Sequence, residues 1–279
     1  MTSGKWERRI QRAQELAAAH PAAAEGLRFY ERIAGSQRSL YVGVEAALGG
    51  GVEAALSAAR PPGSLRDELD LFVLLPSFPA FLALVENTAP RPLAQAAADL
   101  GALGATRWQE ALHGFWLTGG DAAAAAELTV AEAHIAWMFL QPYAEYLADH
   151  GEQPAAGGVP PSSCPRCSGR PQVGVLRQQG DGGKRSLICA LCATEWDYRR
   201  LVCPACGEES VDKLPVYVAE ELGHIRVEAC DTCRRYLKTI DLTKNGRAVP
   251  VVDELAAMAL SVWAEENGYE KLQVNILGI

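Results

Sequence analysis

Eight cysteines, all of them in C-x-x-C pairs, are the residues of this sequence best suited to chemistry. The pairs are Cys164/Cys167, Cys189/Cys192, Cys203/Cys206 and Cys230/Cys233. A gap of two residues lets one short loop, or knuckle, present both thiolates to a metal ion, and two knuckles complete a tetrahedral tetrathiolate site. Cysteines placed for packing alone would be scattered singly through apolar segments. The spacing therefore predicts two metal sites with four cysteine ligands each.

An internal repeat predicts which pairs share a site. The first pair recurs 39 residues later as the third (164 to 203), and the second recurs 41 residues later as the fourth (189 to 230). Within each half, apolar strands flank a turn, Gly180–Gly183 in the first and Glu220–Gly223 in the second, which is typical of a β-hairpin. Because a hairpin brings its ends together, the first two pairs should form one site and the last two the other. Interleaved ligation is the less favoured alternative.

The cysteine pattern leaves the metal open between zinc and iron, since tetrahedral thiolate suits both. Two structural zinc ribbons are the simpler interpretation, and two rubredoxin-like iron sites are the functional alternative. The chain shows no secretory signal, and its longest apolar window, 71–85, is interrupted by prolines and is shorter than the roughly 20 residues that span a bilayer. We therefore expect a cytoplasmic protein without a membrane span, in a compartment where thiols stay reduced.

Catalytic signals other than cysteine are sparse, which favours a protein that is not an enzyme. The sequence contains no H-E-x-x-H, no glycine-rich phosphate loop and no nucleophile elbow. Its histidines are isolated from one another: His20, His113, His134, His150 and His224. Four C-x-x-C pairs on hairpins also lack the helix that lowers the thiol pKa in thioredoxin-type redox sites.

The charge distribution argues against a nucleic-acid partner. The chain carries a net charge of −8. Residues 164–247 contain 14 Lys and Arg against 11 Asp and Glu, or +3, and two divalent tetrathiolate centres would each contribute about −2. Nucleic-acid binding needs a concentrated basic face. A zinc-ribbon structural or nucleic-acid-binding protein, and a small electron-transfer protein, remain as alternative functions.

Helices are predicted to precede and follow the cysteine region. Residues before 150 show the apolar spacing of amphipathic helices, including a capping box at Thr129–Glu132, and Asp253 is a candidate N-cap of a late helix. The expected fold class is α+β multidomain, an all-α N-terminal domain followed by two tandem rubredoxin-like or zinc-ribbon-like β modules and a C-terminal helix. The predicted boundaries are 1–150 for the helical domain, 151–163 for a Pro/Gly linker, 164–200 and 201–248 for the metal modules, and 249–279 for the C-terminal helix and tail.

Several runs of residues resemble the formate dehydrogenase accessory proteins of the FdhE family. They are Leu187–Trp196, Arg200–Cys206, Glu228–Cys233, Tyr236–Lys238, Asp253–Ala256 and Glu266–Tyr269. The resemblance covers about residues 160 to 279. Arg234 departs from it, because a glycine often follows the fourth knuckle, and Asp197 stands where a histidine is expected.

The resemblance implies a cytoplasmic maturation factor that binds iron. Its partner would be the molybdenum- and iron–sulfur-containing catalytic subunit of a respiratory formate dehydrogenase, bound before export. Iron is then favoured over zinc in both four-cysteine sites. We expect the loop Tyr198-Arg199-Arg200 to lie at the partner-binding surface, and Trp196 and Leu237 to cover their sites.

Overall fold

The structure is a computed structural model that describes residues 3–49, 65–118, 128–151, 162–180 and 182–278. The chain forms two compact units. The first comprises Met1–Trp6, Arg32–Pro154 and Arg166–Ser168, and the second comprises Glu7–Glu31, Ala155–Pro165 and Gly169–Ile279. The predicted linker 151–163 lies mostly outside the described residues, and the predicted domain boundaries stay predictions.

The N-terminal half is helical, as predicted. Its described helices are α1 (Ser3–Ala19), α2 (Ala24–Leu48), α3 (Leu71–Leu74), α4 (Phe78–Thr88), α5 (Arg91–Leu103), α6 (Ala105–Thr118) and α7 (Val130–His150). Helix α7 begins with the predicted capping box, in which the Glu132 N–H donates to Thr129 Oγ1 at 3.2 Å and the Thr129 N–H donates to the Glu132 carboxylate at 2.8 Å. Its side chains are buried from Ile135 to Ala148, so α7 is the core helix of the first unit.

Among the residues that the structure describes, one apolar stretch, Leu71–Thr88, is long enough to cross a membrane by length and composition. Its mean hydropathy is 1.5 over 18 residues, and 28% of it is buried. It contains two prolines, and a 3-10 turn at Leu75–Ser77 separates α3 from α4. A single such stretch is weak evidence for a membrane span, and the expected lack of a span stays a prediction.

The cysteine region forms a mostly antiparallel sheet. Its strands are β1 (Pro171–Gln179), β2 (Gly182–Cys189), β3 (Glu195–Asp197), β4 (Val216–Val218), β5 (Ile225–Ala229), β6 (Arg235–Asp241) and β7 (Glu270–Lys271). Both predicted hairpins are confirmed, since β1 pairs with β2 and β4 pairs with β5 in antiparallel register. The strand order is β3-β2-β1-β6-β5-β4, with β7 beside β6.

The two cysteine modules share this single sheet, which the hairpin pattern did not predict. Strand β1 of the first module runs parallel to β6 of the second, with Gly174 opposite Thr239. A Cβ atom at Gly174 would clash with the side chain of Thr239. Glycine is therefore required for the two strands to approach at this point.

Apolar side chains on one face of the sheet pack against the C-terminal helices. Alternate residues of the strands point to this face, and together with the helical residues they form one core. Its members include Val173, Val175, Ile225, Val227, Tyr236, Ile240, Leu260 and Ala264. The two modules are thus joined by a common core as well as by strand pairing.

The C-terminal helical segment differs from the predicted single helix. Helix α8 (Pro250–Ala256) begins before Asp253, with Val249 at the N-cap, so the expectation that Asp253 is the N-cap is wrong. Proline suits the first helical position because it has no N–H to leave unpaired. The chain then breaks at Ala257 and continues as α9 (Met258–Glu266).

The buried side chain of Lys238 explains why this break is tolerated. Its Nζ donates to the carbonyl oxygens of Glu254 at 2.8 Å and Ala257 at 3.2 Å. The last carbonyls of a helix lack partners within the helix, and a cation there is favourable. Lys238 therefore supplies from β6 the hydrogen bonds that a longer helix would have made.

Candidate metal centres

The structure brings the cysteines together in two groups of four. Centre 1 is Cys164, Cys167, Cys189 and Cys192, and centre 2 is Cys203, Cys206, Cys230 and Cys233; in each, the Sγ atoms lie within 4.8 Å of one another. This is the grouping that the hairpins predict, not the interleaved one.

The sulfur spacing fits a tetrahedral metal ion. With metal–sulfur bonds of about 2.3 Å, the sulfurs of a tetrahedron lie about 3.8 Å apart. The Sγ–Sγ distances are 3.5 Å for Cys164–Cys192, 3.8 Å for Cys203–Cys233 and 3.7 Å for Cys206–Cys230. A disulfide would need about 2.05 Å. Both groups can therefore hold a metal ion on four thiolates.

All four knuckles repeat one backbone hydrogen bond. The N–H of the first cysteine donates to the carbonyl five residues later, and the four pairs are Cys164 to Gly169 at 2.8 Å, Cys189 to Thr194 at 3.0 Å, Cys203 to Glu208 at 2.9 Å and Cys230 to Arg235 at 2.9 Å. This bond curls each loop so that its two sulfurs point to the same side. The C-x-x-C spacing implies such a turn but does not identify its hydrogen-bond acceptor.

The residue before each acceptor has a left-handed backbone. The φ angles are 58° at Ser168, 52° at Ala193, 77° at Gly207 and 57° at Arg234. Glycine adopts this conformation at little cost, whereas other residues are strained in it. Three of the four knuckles therefore carry a strained residue, and the resemblance to the FdhE family marks only one of these, Arg234.

Backbone N–H groups point at cysteine sulfur in both centres. The N–H of Leu191 donates to Cys189 Sγ, and that of Ala205 donates to Cys203 Sγ, each at 3.4 Å. Burial raises the pKa of Cys203 despite such bonds. At Cys230 burial also acts to raise the pKa, but the N–H groups of Cys233 and Thr232 outweigh it and lower the pKa. The knuckle N–H groups thus favour the thiolates that metal binding requires.

The two centres differ in their exposure to solvent. All four cysteines of centre 1 are buried. In centre 2, Cys203 and Cys230 are buried, Cys233 is half-buried and Cys206 is exposed. A cavity of about 40 Å³ lies beside centre 2, with Cys203, Cys230 and Leu237 in its wall.

Arg185 joins the module of centre 1 to the loops of centre 2. It lies on β2 and is only 3% exposed. Its Nη1 donates to the carbonyls of Arg199 at 2.9 Å and Val202 at 3.3 Å, and its Nη2 lies 2.6 Å from Glu228 Oε2. Val202 precedes Cys203, and Glu228 stands two residues before Cys230, so one guanidinium contacts the approach to both knuckles of centre 2. An arginine in a hairpin ordinarily faces solvent, and no sequence signal marks this one.

The predicted partner-binding loop is only partly at the surface. Tyr198 is 8% exposed, its ring lies 5.3 Å from the Arg185 guanidinium carbon, and its hydroxyl donates to the Cys203 carbonyl at 3.4 Å. The expectation that Tyr198 is presented to a partner is therefore wrong, because the ring packs inside the module. Arg199 and Arg200 are exposed, and Arg199 forms a two-pronged ion pair with Glu209 at 2.5 and 3.0 Å.

The predicted covering residues are both buried. Trp196 is on β3 and Leu237 is on β6. Leu237 lines the cavity beside centre 2. Their influence on a bound metal stays a prediction.

Fold and site together define a protein with a helical N-terminal region and two four-cysteine metal-binding modules on one sheet. Residues 163–200 match the FdhE central domain, and residues 201–277 match the FdhE C-terminal domain. Residues 163–277 of this chain are therefore similar to the central and C-terminal domains of the FdhE family.

Individual relatives agree with this assignment. The chain is 38% identical to the "Protein FdhE homolog" of Aquifex aeolicus over 116 residues, which is 41% of each protein. It is 36% identical to that of Pseudomonas aeruginosa over 122 residues, covering 41% of this chain and 38% of the relative. These matches span about two fifths of the relatives' length.

A solved structure extends the similarity beyond the cysteine region. The crystal structure of the FdhE protein from Pseudomonas aeruginosa aligns with a TM-score of 0.68 at 25% identity. The alignment covers 99% of this chain and 96% of that one. The helical part is therefore similar in fold although the family matches begin only at residue 163.

Proposed function

We propose that this chain is a cytoplasmic maturation factor, not an enzyme, that binds the catalytic subunit of a respiratory formate dehydrogenase before export. The observation that carries the proposal is the pair of four-cysteine centres within the FdhE central and C-terminal domains. The identity of the partner rests on the resemblance of the cysteine runs to formate dehydrogenase accessory proteins.

Each centre in this proposal binds one metal ion through four thiolates, with iron as the working metal. Ferric tetrathiolate absorbs intensely in the visible range, whereas zinc does not. The knuckle N–H groups stabilise thiolate charge, and the shared sheet and core fix the two centres in one folded body. A colourless preparation containing two equivalents of zinc, from cells supplied with iron, would contradict the assignment of iron.

The proposed partner surface is formed by Arg199 and Arg200. Both side chains are exposed on the loop that joins the two modules. Arginine binds carboxylate and carbonyl groups through paired donors, and Arg199 already makes such a pair with Glu209. A partner could replace Glu209 with its own acidic or carbonyl groups.

Deletion of the gene tests the role in maturation. Formate-dependent respiration should fall while transcript of the catalytic subunit stays unchanged, and the wild-type gene should restore it. Normal respiration in the deletion strain would contradict the proposal.

Co-purification tests the partner surface. Wild-type protein should recover the catalytic subunit, and Arg199→Glu/Arg200→Glu should recover about tenfold less. Lys244→Glu/Arg247→Glu is the matched control, because it makes the same charge change at two other exposed positions. Equal recovery by both variants would reject this surface but not the maturation role.

A further inference from the structure

The knuckles of the two centres differ in how much solvent reaches them. In centre 1 all four cysteines are buried, and so is the whole second knuckle from Cys189 to Cys192, although Pro165 and Ser168 of the first knuckle are exposed. In centre 2, the residues from Ala205 to Gly207 are exposed, as are Asp231, Thr232 and Arg234. The loops that carry Cys206 and Cys233 thus form a surface.

The exposed side of centre 2 is closed by one polar contact between its knuckles. Thr232 Oγ1 donates to Glu208 Oε2 at 2.5 Å. Glu208 follows Cys206 by two residues, and Thr232 immediately precedes Cys233. Side chains on such exposed loops exchange with water at small cost, so this contact restrains the loops without excluding small molecules.

Centre 1 has more cover. The Ala190 N–H within its second knuckle donates to the Arg170 carbonyl at 3.1 Å, and the neighbouring Leu191 side chain is buried. Thr194 Oγ1 lies 3.1 Å from Cys192 Sγ. An external ligand could approach these sulfurs only after the knuckle separates from the core, which costs part of the folding free energy.

We propose that centre 2 is an exchangeable metal centre at which an incoming thiol displaces Cys206 first, whereas centre 1 retains its metal as a structural site. This inference rests on the proposed occupancy of both centres by metal. The incoming thiol loses its proton and forms a metal–sulfur bond as the bond to Cys206 Sγ breaks. Cys206 takes up that proton. The metal keeps four sulfur ligands and its oxidation state, so the step needs no oxidant or reductant.

Accessibility at Cys206 explains the order of displacement. Its three co-ligands are buried or half-buried, and Cys230 directly follows β5, which is paired on both sides by β4 and β6. A loop that carries one exposed ligand can move outward while Cys230, at the end of β5, stays in place. The class of ligand follows from the donor set, because soft thiolate competes best for a metal already bound by thiolates.

Metal release from zinc-loaded full-length protein tests the inference. With a chromogenic chelator present, release should show two phases of about one equivalent each, the fast one at least about tenfold faster. Glutathione should accelerate only the fast phase. Cys189→Ser/Cys192→Ser removes centre 1 and should retain the fast phase. Cys203→Ser/Cys206→Ser removes centre 2 and should retain the slow phase. Two equivalents released at one rate, with no effect of glutathione, would overturn the proposal.

Two further readouts avoid removing metal ligands. Thr232→Val should accelerate the fast phase, and Thr194→Val, the same substitution beside centre 1, should leave it unchanged. Brief alkylation of the wild-type protein with N-ethylmaleimide should label Cys206 and then Cys233 before any cysteine of centre 1. Equal labelling of Cys192 and Cys206 would also overturn the proposal. If both centres release metal equally slowly in a protein that still restores formate respiration, this inference alone is rejected. If the purified protein holds no metal, both this inference and the proposed metal occupancy are rejected.

Discussion

Centres 1 and 2 are built from the same local loop but have different surroundings. Each knuckle repeats the same backbone hydrogen bond and the same left-handed residue, yet the cysteines of centre 1 are buried and Cys206 of centre 2 is exposed. Local sequence therefore determines that a metal can be bound, and the tertiary structure determines what can reach it. The predictions below test this distinction, from the largest expected effect to the smallest.

The largest expected effect is the loss of centre 1. Metal-binding free energy is also folding free energy, on the order of 10 kcal/mol for a structural zinc site. Cys189→Ser/Cys192→Ser should abolish hydrogen-exchange protection in β1 and β2 and, through Arg185, weaken protection near Val202. Cys203→Ser/Cys206→Ser should leave β1 and β2 protected. Equal loss of protection throughout both modules would mean that the centres are not distinct structural units.

The next effect concerns a buried ion group that joins Glu254 of α8 to Lys238 of β6 and Lys271 of β7. Glu254 is fully buried, with Lys238 Nζ at 2.9 Å from Oε1, Asn275 Nδ2 at 2.9 Å from Oε2, and an ion pair to Lys271. Breaking a buried ion pair costs about 3–5 kcal/mol. Glu254→Gln should therefore lower the free energy of unfolding by about that amount, as measured by denaturant titration.

The pH dependence of stability provides a second measure of this group. Burial acts to raise the pKa of Glu254, but Lys238 and Lys271 outweigh it and lower the pKa to about 2. Burial lowers the pKa of Lys271 to about 8, although the nearby Glu254 carboxylate acts to raise it. Glu254 and Lys271 are therefore both charged near neutral pH, and Lys271 is the more weakly stabilised of the two ions. Because the pKa of Glu254 is lower in the folded state, its contribution is complete above about pH 4.5 and is lost as the pH falls toward 2. Acid also releases thiolate-bound metal, so the diagnostic result is a shallower acid limb in Glu254→Gln than in the wild type. Identical limbs would exclude a contribution from Glu254.

A smaller and more selective effect is expected at Arg185. Arg185→Met removes the bonds to the Arg199 and Val202 carbonyls but leaves Glu228 paired with Arg226 at 2.5 Å, so we expect a loss of about 1–3 kcal/mol. Metal release from centre 2 should accelerate, and release from centre 1 should not. Arg226→Met is the control, since Arg226 shares Glu228 as a partner. Equal acceleration in the two variants would show that the carbonyl contacts of Arg185 do not stabilise the loop of centre 2.

The smallest effects are expected at the left-handed positions. Ala193→Gly removes strain near centre 1 and should increase the free energy of unfolding of the metal-loaded protein by up to about 1 kcal/mol. The thermal midpoint should rise accordingly. Arg234→Gly removes the same strain near centre 2. It also deletes the bonds to Asp231 at 2.9 Å and the Asn267 carbonyl at 2.6 Å, and the stacking on Tyr269 at 4.0 Å. Arg234→Gly should thus be neutral or destabilising, and equal stabilisation by both substitutions would contradict this explanation for the departure from glycine.

The features that sequence predicted are those set by near neighbours in the chain. Ligand groups, hairpins and the capping box of α7 all depend on residues within one turn or one hairpin. The pairing of β1 with β6 depends on Gly174 and Thr239, 65 residues apart (174 to 239), and no local pattern reports it. Burial of Arg185 and Tyr198 follows from that pairing, because joining the modules encloses a loop that each would expose alone. The break at Ala257 likewise depends on Lys238, a residue of a distant strand.

The central claim is that the protein has two independent four-cysteine metal centres. The most direct test is metal analysis of the purified full-length protein and of its two double-cysteine variants. We predict two equivalents of metal in the wild type. We predict one equivalent in each double variant, Cys189→Ser/Cys192→Ser and Cys203→Ser/Cys206→Ser. One equivalent in the wild type, or loss of both metals from both variants, would contradict it.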